Sequence, residues 1–446
     1  MWFRRDLRLA DNPALLDACD SDGVLPLFVL DPALWGPAGV SRRWYLTESL
    51  RALDASLQSM GARLSVVDGD PVRQVVLAVE AVGAGRVHVA ADYGPYGHAR
   101  DQRVEKALAD AGVELVRTGS SYAVAPDRVK NGSGAPYKVY SPYARAWQEH
   151  GWRDPVDAPA GATWLALDDT SDIPTVPLPE GLALPGAGEA AARNAWRAYV
   201  EDGLAGYDDN RDRPDVDATS RMSVHLKWGE IHPRTMLADL RDRRDKGAAS
   251  YRRELAFREF YADVLFQRPD SAREYLRPEF ARMAYDDPST HLEAWKRGRT
   301  GFPIVDAGMR QLRATGWMHN RVRMITASFL VKDLHLEWQH GARHFLDWLV
   351  DGDLASNQHG WQWTAGSGTD AAPYFRVFNP ASQGRKFDPD GRYVKRWVPE
   401  LRGLDAAHVH APWEAPDGVP EGYPEPIVDH KEERAEALAR YDRIKR

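Results

Sequence analysis

Cysteine, long apolar runs and an excess of positive charge are what this 446-residue sequence lacks. Its one cysteine, Cys19, cannot form an internal disulfide, so we expect a protein of the reducing cytoplasm. No apolar run approaches the roughly 20 residues of a membrane-spanning helix. The N-terminal MWFRRDLRL lacks the apolar core of a signal peptide. These absences exclude disulfide-rich and membrane-spanning classes and predict no membrane partner.

The charge and the glycine pattern exclude two further simple interpretations. The formal net charge is −7, whereas general nucleic-acid binders are usually basic, although a local basic rim remains compatible with this value. No GxGxxG follows the first predicted strand, so a Rossmann dinucleotide site there is unsupported. Sixteen tryptophans are more than packing alone requires and leave room for a functional subset.

Hydrophobic periodicity predicts an α/β part followed by an all-α part. In residues 1–121, apolar strands such as VLPLFVLD and RVHVAADY alternate with helical runs, which predicts a doubly wound parallel sheet. Residues 122–192 are rich in Pro, Gly and Ala and predict an interdomain linker. Residues 193–446 are helical almost throughout and predict a helical domain.

The stretch from Gly316 to Phe378 is the most unusual part of the chain. Asn320 and Met324 are four residues apart and share one helix face, whereas a different face is apolar. Asp351 and Asp353 bracket a glycine in a turn, which is too few ligands to predict a metal site. Trp361 and Trp363, separated by one residue, cannot both be ordinary helical core. One interpretation is a pair of aromatic surfaces that face a flat guest.

Several other patterns are ambiguous when judged by residue type alone. Thr219–Ser223 (TSRMS) could bind phosphate, but a helix cap is the commoner use of such a run. Glu254 and Arg258 are more often a surface ion pair, and Met324 and Trp338 more often fill a core. The basic residues around Gln383 could face DNA or only solvent; they are Arg376, Arg385, Lys386, Lys395 and Arg396.

Five motifs in a fixed order carry a resemblance over nearly the whole chain: WFRRDLRLADNPAL, TSRMS, ELAFREFY, RVFNPASQGRKFDPDG and YPEPIVDHKEER. The sequence closely resembles the photolyase/cryptochrome family, and within it the class I cyclobutane-pyrimidine-dimer photolyases. The resemblance implies an antenna domain at 1–121 and a helical FAD- and DNA-binding domain at 193–446. Relatives usually have a few residues ahead of WFRRDLRL, so we expect this chain to start inside its first strand.

The resemblance also implies a set of FAD contacts. Asn357 matches the residue beside the flavin N5; plant cryptochromes have Asp there, and an uncharged Asn suits a flavin that cycles through its reduced anionic form. The implied cofactor-binding residues are Tyr207, Thr219, Ser220, Arg221, Met222, Ser223, Glu254, Arg258, Asn320, Arg323, Asp351, Gly352, Asp353 and Asn357.

By resemblance, the dimer is contacted by Glu254, Phe257, Asn320, Met324 and Trp363. Relatives usually have Trp at the position of Phe257, so we expect weaker stacking there, not lost function. Asn320 favours cyclobutane dimers, because (6-4) photolyases typically have His in its place. The implied DNA contacts are Arg211, Arg321 and Gln383.

Trp361 and Trp338 match two members of the family's electron-transfer chain. Tyr285 stands where the terminal Trp normally lies, and oxidised Tyr must lose a proton, so we expect the end of the chain to work differently. Trp295 is the alternative terminal residue.

The antenna segment lacks the Asn-Glu pair of folate-binding relatives and has Gly97 and His98 instead. This favours 8-hydroxy-5-deazaflavin over methenyltetrahydrofolate, with Asp92 and Arg42 as contacts; an empty or flavin-filled site is the alternative.

The resemblance thus implies a monomeric, cytoplasmic enzyme, associated with the nucleoid when bound to UV-damaged DNA. It would flip a cyclobutane pyrimidine dimer out of the duplex and split it by electron transfer from photoexcited reduced FAD. Two alternatives stay open. A cryptochrome-type photosensor would share the fold and FAD but signal to a protein partner. A light-independent DNA-binding or redox flavoprotein would not need the aromatic walls or Glu254.

Overall fold

A computed structural model describes residues 1–288, 290–369 and 375–445. Contacts between Cα atoms divide the chain into two compact units that interleave along the sequence. The first unit comprises Met1–Leu178, Pro185–Ala205 and Ser220–Pro269. The second comprises Pro179–Leu184, Gly206–Thr219 and Asp270–Arg446.

The described residues contain five strands, all parallel, in the first unit: β1 (Trp2–Phe3), β2 (Leu27–Leu30), β3 (Ser65–Asp68), β4 (Arg86–Ala91) and β5 (Glu114–Ser120). Ladders join β1–β2–β3 and β4–β5, with registers such as Phe28 to Val66 and Val87 to Leu115. Every residue of β2 is buried, as expected for a parallel sheet that is covered on both faces. The predicted parallel α/β part is confirmed.

The helices account for most of the remaining chain. They are α1 (Pro13–Cys19), α2 (Pro32–Trp35), α3 (Val40–Gln58), α4 (Pro71–Val82), α5 (Pro95–Asp110), α6 (Tyr140–His150), α7 (Glu189–Asp202), α8 (Tyr207–Asn210), α9 (Ser223–Trp228), α10 (Pro233–Asp239), α11 (Lys246–Gln267), α12 (Thr290–Arg297), α13 (Pro303–Thr315), α14 (Asn320–Lys332), α15 (Trp338–Trp348), α16 (Leu354–Ala365), α17 (Pro380–Phe387), α18 (Arg392–Trp397) and α19 (His430–Ile444). Short 3-10 turns cover Leu204–Gly206, Pro269–Ala272, Pro278–Arg282, Pro399–Leu401 and Pro412–Glu414.

The compact units do not end at residues 121 and 192. Helix α6 belongs to the predicted linker, and α11, from the predicted helical domain, packs on it. The buried Glu259 of α11 accepts hydrogen bonds from the Val124 backbone N–H at 2.9 Å and the Trp147 indole N–H at 2.6 Å. Charge-assisted bonds of this kind are strong when buried. Ser220–Pro269 therefore belongs to the unit that holds the sheet. The division into antenna domain, linker and helical domain stays a prediction.

The second unit is helical and has one large apolar core. Proline begins α13, and Gly316 ends it with φ +60°, the left-handed conformation that terminates many helices. Helix α14 packs against both α13 and α16. Side chains at the centre include Phe329, Trp338, Phe345 and Trp361, each no more than 3% exposed. The predicted all-α part is confirmed. Across the described ranges, no helix combines the length and apolar character needed to cross a bilayer.

Candidate functional site

Helix α14 has the two faces that its sequence predicts. Val322, Ile325 and Phe329 are 0%, 1% and 0% exposed and pack into the core. On the other face Asn320 is exposed and Met324 is only partly buried. Met324 is therefore not a core residue, and the face that carries Asn320 and Met324 does not pack into the core.

Arg323 and Asp351 form an ion pair beside that helix. The Arg323 Nη2 atom lies 3.1 Å and 2.8 Å from the two carboxylate oxygens, and its Nε donates to the Met318 carbonyl at 2.7 Å. The Asp351 side chain is only 2% exposed, and a carboxylate buried so deeply requires a fixed cation. The pair holds the turn of Asp351, Gly352 and Asp353 at the start of α16.

One stripe of α16 is partly open, and Leu354 at the start of the helix is exposed, whereas the other residues of the helix are buried. The Asp353 carboxylate begins the helix by accepting the Ser356 backbone N–H at 3.1 Å. The partly buried residues recur every three or four positions and so share a face: Asp353, Ser356, Asn357, Gly360 and Trp363. We call these five residues the α16 stripe. Trp361, by contrast, is 3% exposed and lies in the core, so the two neighbouring tryptophans serve different faces.

Gly360 is a residue of the α16 stripe that residue-type reasoning did not identify. Apart from the backbone of its own helix, no atom of the described residues lies within 4 Å of a Cβ built on Gly360, so these residues leave open space against the helix backbone. A glycine in mid-helix costs roughly 0.5–1 kcal/mol relative to alanine. That unfavourable choice was the only available signal in the sequence.

The Asn357 side chain is oriented by two hydrogen bonds. Its Nδ2 donates to the Ala342 carbonyl at 3.1 Å and to Gln358 Oε1 at 2.8 Å. Both amide hydrogens are thereby used inside the protein. The carbonyl oxygen is the atom of this side chain that retains capacity to accept a hydrogen bond from a guest.

Trp361 and Trp338 are brought together by a glycine. Trp338 begins α15 and is fully buried, and Gly341 follows one helical turn later on the same face. A Cβ on Gly341 would clash with the Trp361 ring, so Trp361 packs directly over this turn of α15. Phe345 fixes the ring from the side, with centroids 4.9 Å apart at 73°. Trp361 therefore packs against the turn of α15 that Trp338 begins.

Replacing Gly341 by alanine is expected to destabilise the second unit. The added methyl group would meet the Trp361 ring and the Leu330 side chain, and overpacking of this kind costs roughly 1–3 kcal/mol. Urea unfolding followed by far-UV circular dichroism would measure the loss. Gly360→Ala is the matched control: it has free space and should gain about 0.5–1 kcal/mol. Equal stability changes in the two variants would contradict the packing described here.

Tyr285, the predicted terminal member of the electron-transfer chain, contacts a second tyrosine, Tyr275. Its ring stacks on Tyr275, with centroids 6.1 Å apart at 12°, and Tyr275 lies edge-on to Trp338 at 6.3 Å. Tyr275 is 5% exposed and had no spacing signal in the sequence. The alternative terminal residue, Trp295, is fully buried and donates its indole N–H to the Thr326 carbonyl at 3.0 Å. It is thus an interior residue, not a surface end.

The predicted DNA contacts of the second unit are partly engaged within the protein. The Arg211 guanidinium lies 5.6 Å from the ring centre of Tyr207, which is 9% exposed. Arg321 forms an ion pair with Asp212 at 2.8 Å and covers the Phe387 ring at 4.5 Å. These contacts hold both guanidinium groups in place on the unit.

Gln383 lies partly buried on α17, among the predicted basic rim. Arg385 of that rim forms an ion pair with Glu414 at 2.6 Å, so one positive charge of the rim is offset. The other rim residues are exposed or partly buried: Arg376, Lys386, Lys395 and Arg396.

The TSRMS segment is divided between the units after Thr219. The Ser220 hydroxyl bonds the Tyr251 hydroxyl at 2.7 Å and accepts the Met222 N–H at 3.3 Å. Arg221 is exposed and has φ +53°, which is uncommon for a residue other than glycine. Met222, at the N-cap of the six-residue α9, is 1% exposed and makes no side-chain cap. Ser220 therefore stabilises a strained turn and does not act as an ordinary helix cap.

Phe257 has one face covered. Its ring stacks on Tyr140 with centroids 3.3 Å apart at 8°, and the Tyr140 hydroxyl donates to the Arg253 carbonyl at 2.8 Å. Glu254 precedes Phe257 by one helical turn and is partly buried. The two rings form a double aromatic layer in which Tyr140 supports Phe257.

Arg258 has a structural role in the first unit. Its guanidinium donates to the carbonyls of Ser121 at 3.0 Å and Leu226 at 3.3 Å, and it lies 4.8 Å from the ring centre of Tyr122. These bonds tie α11 to the segments that follow β5 and precede Gly229.

The predicted antenna contact Asp92 is also engaged. Its carboxylate accepts the Gly94 N–H at 3.0 Å and pairs with Arg100 at 3.3 Å. Burial acts to raise the pKa of Asp92, but Arg100 and other cations hold that pKa below its usual value. A Cβ on Gly97 would clash with this carboxylate, so glycine permits the arrangement. Arg42 lies partly buried on α3.

Known proteins resemble this chain over its full length. Residues 1–160 match the family described as "DNA photolyase", and residues 251–443 match "FAD binding domain of DNA photolyase". A deoxyribodipyrimidine photo-lyase of Streptomyces griseus is 43% identical, covering 99% of this chain and 98% of that protein.

Solved structures agree with these matches. A class III photolyase from Agrobacterium tumefaciens has a TM-score of 0.93 at 39% identity and covers 100% of this chain and 97% of its own. A Sulfolobus tokodaii photolyase with two FAD molecules (TM-score 0.88, 29% identity) and a Synechocystis cryptochrome (TM-score 0.90, 26% identity) each cover 99% of this chain, and 99% and 98% of their own. The chain belongs to the DNA photolyase/cryptochrome family.

Proposed function

We propose that this protein is a light-driven DNA repair enzyme that uses FAD to split cyclobutane pyrimidine dimers. The observation that carries the proposal is the α16 stripe, where a polar face opens onto free space at Gly360 beside the Arg323–Asp351 pair. A flat, partly polar guest fits such a face. Full-length similarity to a deoxyribodipyrimidine photo-lyase supports this proposal.

The residues present fit a flavin. Gly360 lets a planar ring approach the backbone of α16, and the Asn357 carbonyl oxygen is available to accept a hydrogen bond. The Arg323–Asp351 pair supplies fixed charge at the start of the stripe. We assign FAD binding to these residues together with the other cofactor-binding residues that the resemblance implies.

FAD, when bound in its reduced anionic form and excited by light, supplies one electron to the dimer and recovers it after the ring has opened. The protein contributes positioning and electrostatics. Asn357 carries no exchangeable carboxyl proton, so it orients the flavin without protonating it. This property favours repair over the photosensor, in which Asp is expected at that position.

We assign the dimer contacts to the residues that the resemblance implies, which are Glu254, Phe257, Asn320, Met324 and Trp363. Support comes from the exposure of Asn320, the partial exposure of Met324 and Trp363, and the stacking of Phe257 on Tyr140. Because Tyr140 backs the smaller ring, Phe257 offers a rigid platform for a base. A stacked base contributes about 1–3 kcal/mol.

DNA binding by Arg211, Arg321 and Gln383 would rest mainly on phosphate contacts, which predicts a steep salt dependence. For the antenna, Asp92 is already paired with Arg100, so a deazaflavin would need to bind beside that pair. A second FAD, as in the Sulfolobus tokodaii photolyase, is the alternative occupant. Class I membership, the monomeric state and the cytoplasmic location stay predictions.

Repair of a thymine-dimer oligonucleotide tests the proposal directly. The flavin is reduced chemically beforehand, and dimers are counted after blue light and after an equal time in darkness. Loss of dimers in light alone is the expected result. If dimers persist although FAD is bound and photoreducible, the photosensor is the better interpretation. Loss in darkness would favour the light-independent alternative.

Replacing Glu254 by glutamine is expected to lower the number of dimers split per absorbed photon while leaving FAD bound. Glutamine keeps the shape and one acceptor but removes the charge and proton that could stabilise a reduced dimer. Flavin content, dimer affinity and repair yield are measured on the same samples. Arg253→Gln, an exposed neighbour on α11, is the control. An unchanged yield in Glu254→Gln would remove the role given to this residue.

A further inference from the structure

The buried tryptophans of the second unit differ in whether the indole N–H has a hydrogen-bond acceptor. No described residue accepts a hydrogen bond from the indole N–H of Trp338 or Trp361, although both atoms are buried. Trp295, equally buried, donates its N–H to the Thr326 carbonyl at 3.0 Å. A tryptophan that loses an electron becomes much more acidic at this nitrogen. Without an acceptor, oxidised Trp338 and Trp361 must keep their proton and can only pass the positive charge on.

Tyr275 is placed to receive that charge. Its ring lies edge-on to Trp338 with centroids 6.3 Å apart, and its hydroxyl donates to Glu337 Oε1 at 3.2 Å. Glu337 immediately precedes Trp338 in the chain, but its carboxylate accepts from Tyr275 and not from the Trp338 indole. Tyr275 thus has what Trp338 lacks, an acceptor for the proton that oxidation releases.

We infer that Tyr275, with Glu337 as its proton acceptor, is the residue at which the electron-transfer chain through Trp361 and Trp338 ends. The inference rests on the proposed function, because the oxidant would be a photoexcited oxidised flavin. Trp361 gives one electron to the flavin, Trp338 gives one to Trp361, and Tyr275 gives one to Trp338. The Tyr275 O–H bond breaks, its proton goes to Glu337, and a neutral tyrosyl radical remains. An external thiol later returns one electron, and the proton on Glu337 returns to the phenolate oxygen.

Tyr285 extends this end toward solvent. It stacks on Tyr275 at 6.1 Å and is partly exposed, whereas Tyr275 is 5% exposed. Burial raises the pKa of Tyr285 to about 12, so it too is protonated at neutral pH. Burial, with Tyr285 and Glu337 nearby, also raises the pKa of Tyr275. Since Tyr275 is protonated at rest, its oxidation requires an acceptor, which Glu337 supplies.

Tyr275→Phe in the FAD-loaded protein tests the inference. After a laser flash on oxidised flavin, electron paramagnetic resonance with ring-deuterated tyrosine should show a tyrosyl radical in the native protein. In Tyr275→Phe this signal should be lost, and tryptophan radical should persist until charge recombination. Phenylalanine keeps the packing of the ring, so the fold should be retained. A native tyrosyl signal in Tyr275→Phe would overturn the inference.

Glu337→Gln separates the proton transfer from the hydrogen bond. Glutamine still accepts the hydrogen bond but cannot take the proton, and loss of a positioned base slows proton transfer by about a hundredfold or more. Formation of the tyrosyl radical should slow accordingly, and the native rate should fall in heavy water. Infrared spectra of the flavin-free protein with labelled tyrosine would show that the hydroxyl of Tyr275 remains a donor. An unchanged rate in Glu337→Gln would exclude it as the acceptor.

Tyr285→Phe is the matched control. It removes a hydroxyl from the stacked neighbour and should leave radical formation at Tyr275 intact. Loss of the signal in Tyr285→Phe but not in Tyr275→Phe would overturn the inference. Repair with chemically reduced flavin should be normal in all three variants. A general loss of repair would instead count against the proposed function.

Discussion

Replacing Trp361 by phenylalanine is expected to abolish photoreduction of oxidised FAD and to spare repair when the flavin is reduced chemically. Phenylalanine is too difficult to oxidise to carry the charge, and Trp361 is the tryptophan that joins α16 to the Trp338 turn of α15 through Gly341. The aromatic neighbours Phe345 and Trp295 would still support the smaller ring. Flavin absorbance under blue light with a thiol present follows photoreduction.

Trp295→Phe is the matched control for this prediction. Trp295 is as buried as Trp338, and its ring centroid lies 6.1 Å from that of Trp361. Its indole N–H, however, donates to the Thr326 carbonyl. Photoreduction should therefore remain close to native in Trp295→Phe. If Trp361→Phe photoreduces normally, the assigned chain is wrong. If Trp295→Phe fails instead, the charge leaves Trp361 through Trp295 and not through Trp338.

Replacing Gly360 by leucine is expected to produce a folded protein that does not retain FAD. The leucine side chain would occupy the free space along the α16 stripe. A misfit of roughly 1–3 kcal/mol corresponds to about ten- to hundredfold weaker binding. Leucine is a good helix former, so α16 itself should not be destabilised. Flavin retained after gel filtration and the affinity of the apoprotein for added FAD are the measurements.

Gly360→Ala is the control for the leucine variant. It adds one methyl group where no atom lies within 4 Å and should retain much more flavin. Circular dichroism should show equal helix content in both variants. Full FAD retention by Gly360→Leu would show that the flavin does not lie along the α16 stripe, and the assignment of Asn357 would fall with it.

The local hydrophobic pattern of the sequence was sufficient to predict most of the helices and strands. Alternating apolar strands and helices in the first part, and helical periodicity in the second, predicted the parallel sheet and the helical unit, because both patterns report which face each element buries. The two faces of α14 followed from the same periodicity. One interpretation of the Trp361–Trp363 spacing had both rings facing a guest, whereas Trp361 lies in the core. The extents of the two compact units did not follow, since Glu259 ties α11 to a segment more than a hundred residues earlier.

The candidate site was predicted only in part. Motifs matched by resemblance gave Asn357, Arg323 and Asp351, but Gly360 and Tyr275 were missed. Gly360 matters through the space around it, and Tyr275 through neighbours far away in sequence. Residue spacing likewise did not predict that Phe257 stacks on Tyr140 or that Arg321 pairs with Asp212.

The sequence by itself determined which elements form, which of their faces are buried, and which family the chain resembles, because these depend on residue type and short-range order. Only the tertiary structure decided which polar and aromatic groups have partners. Hydrogen-bond partners come from segments distant in the chain, so the free indole N–H of Trp338, the Tyr275–Glu337 bond and the open side of Gly360 appear only once the helices have packed.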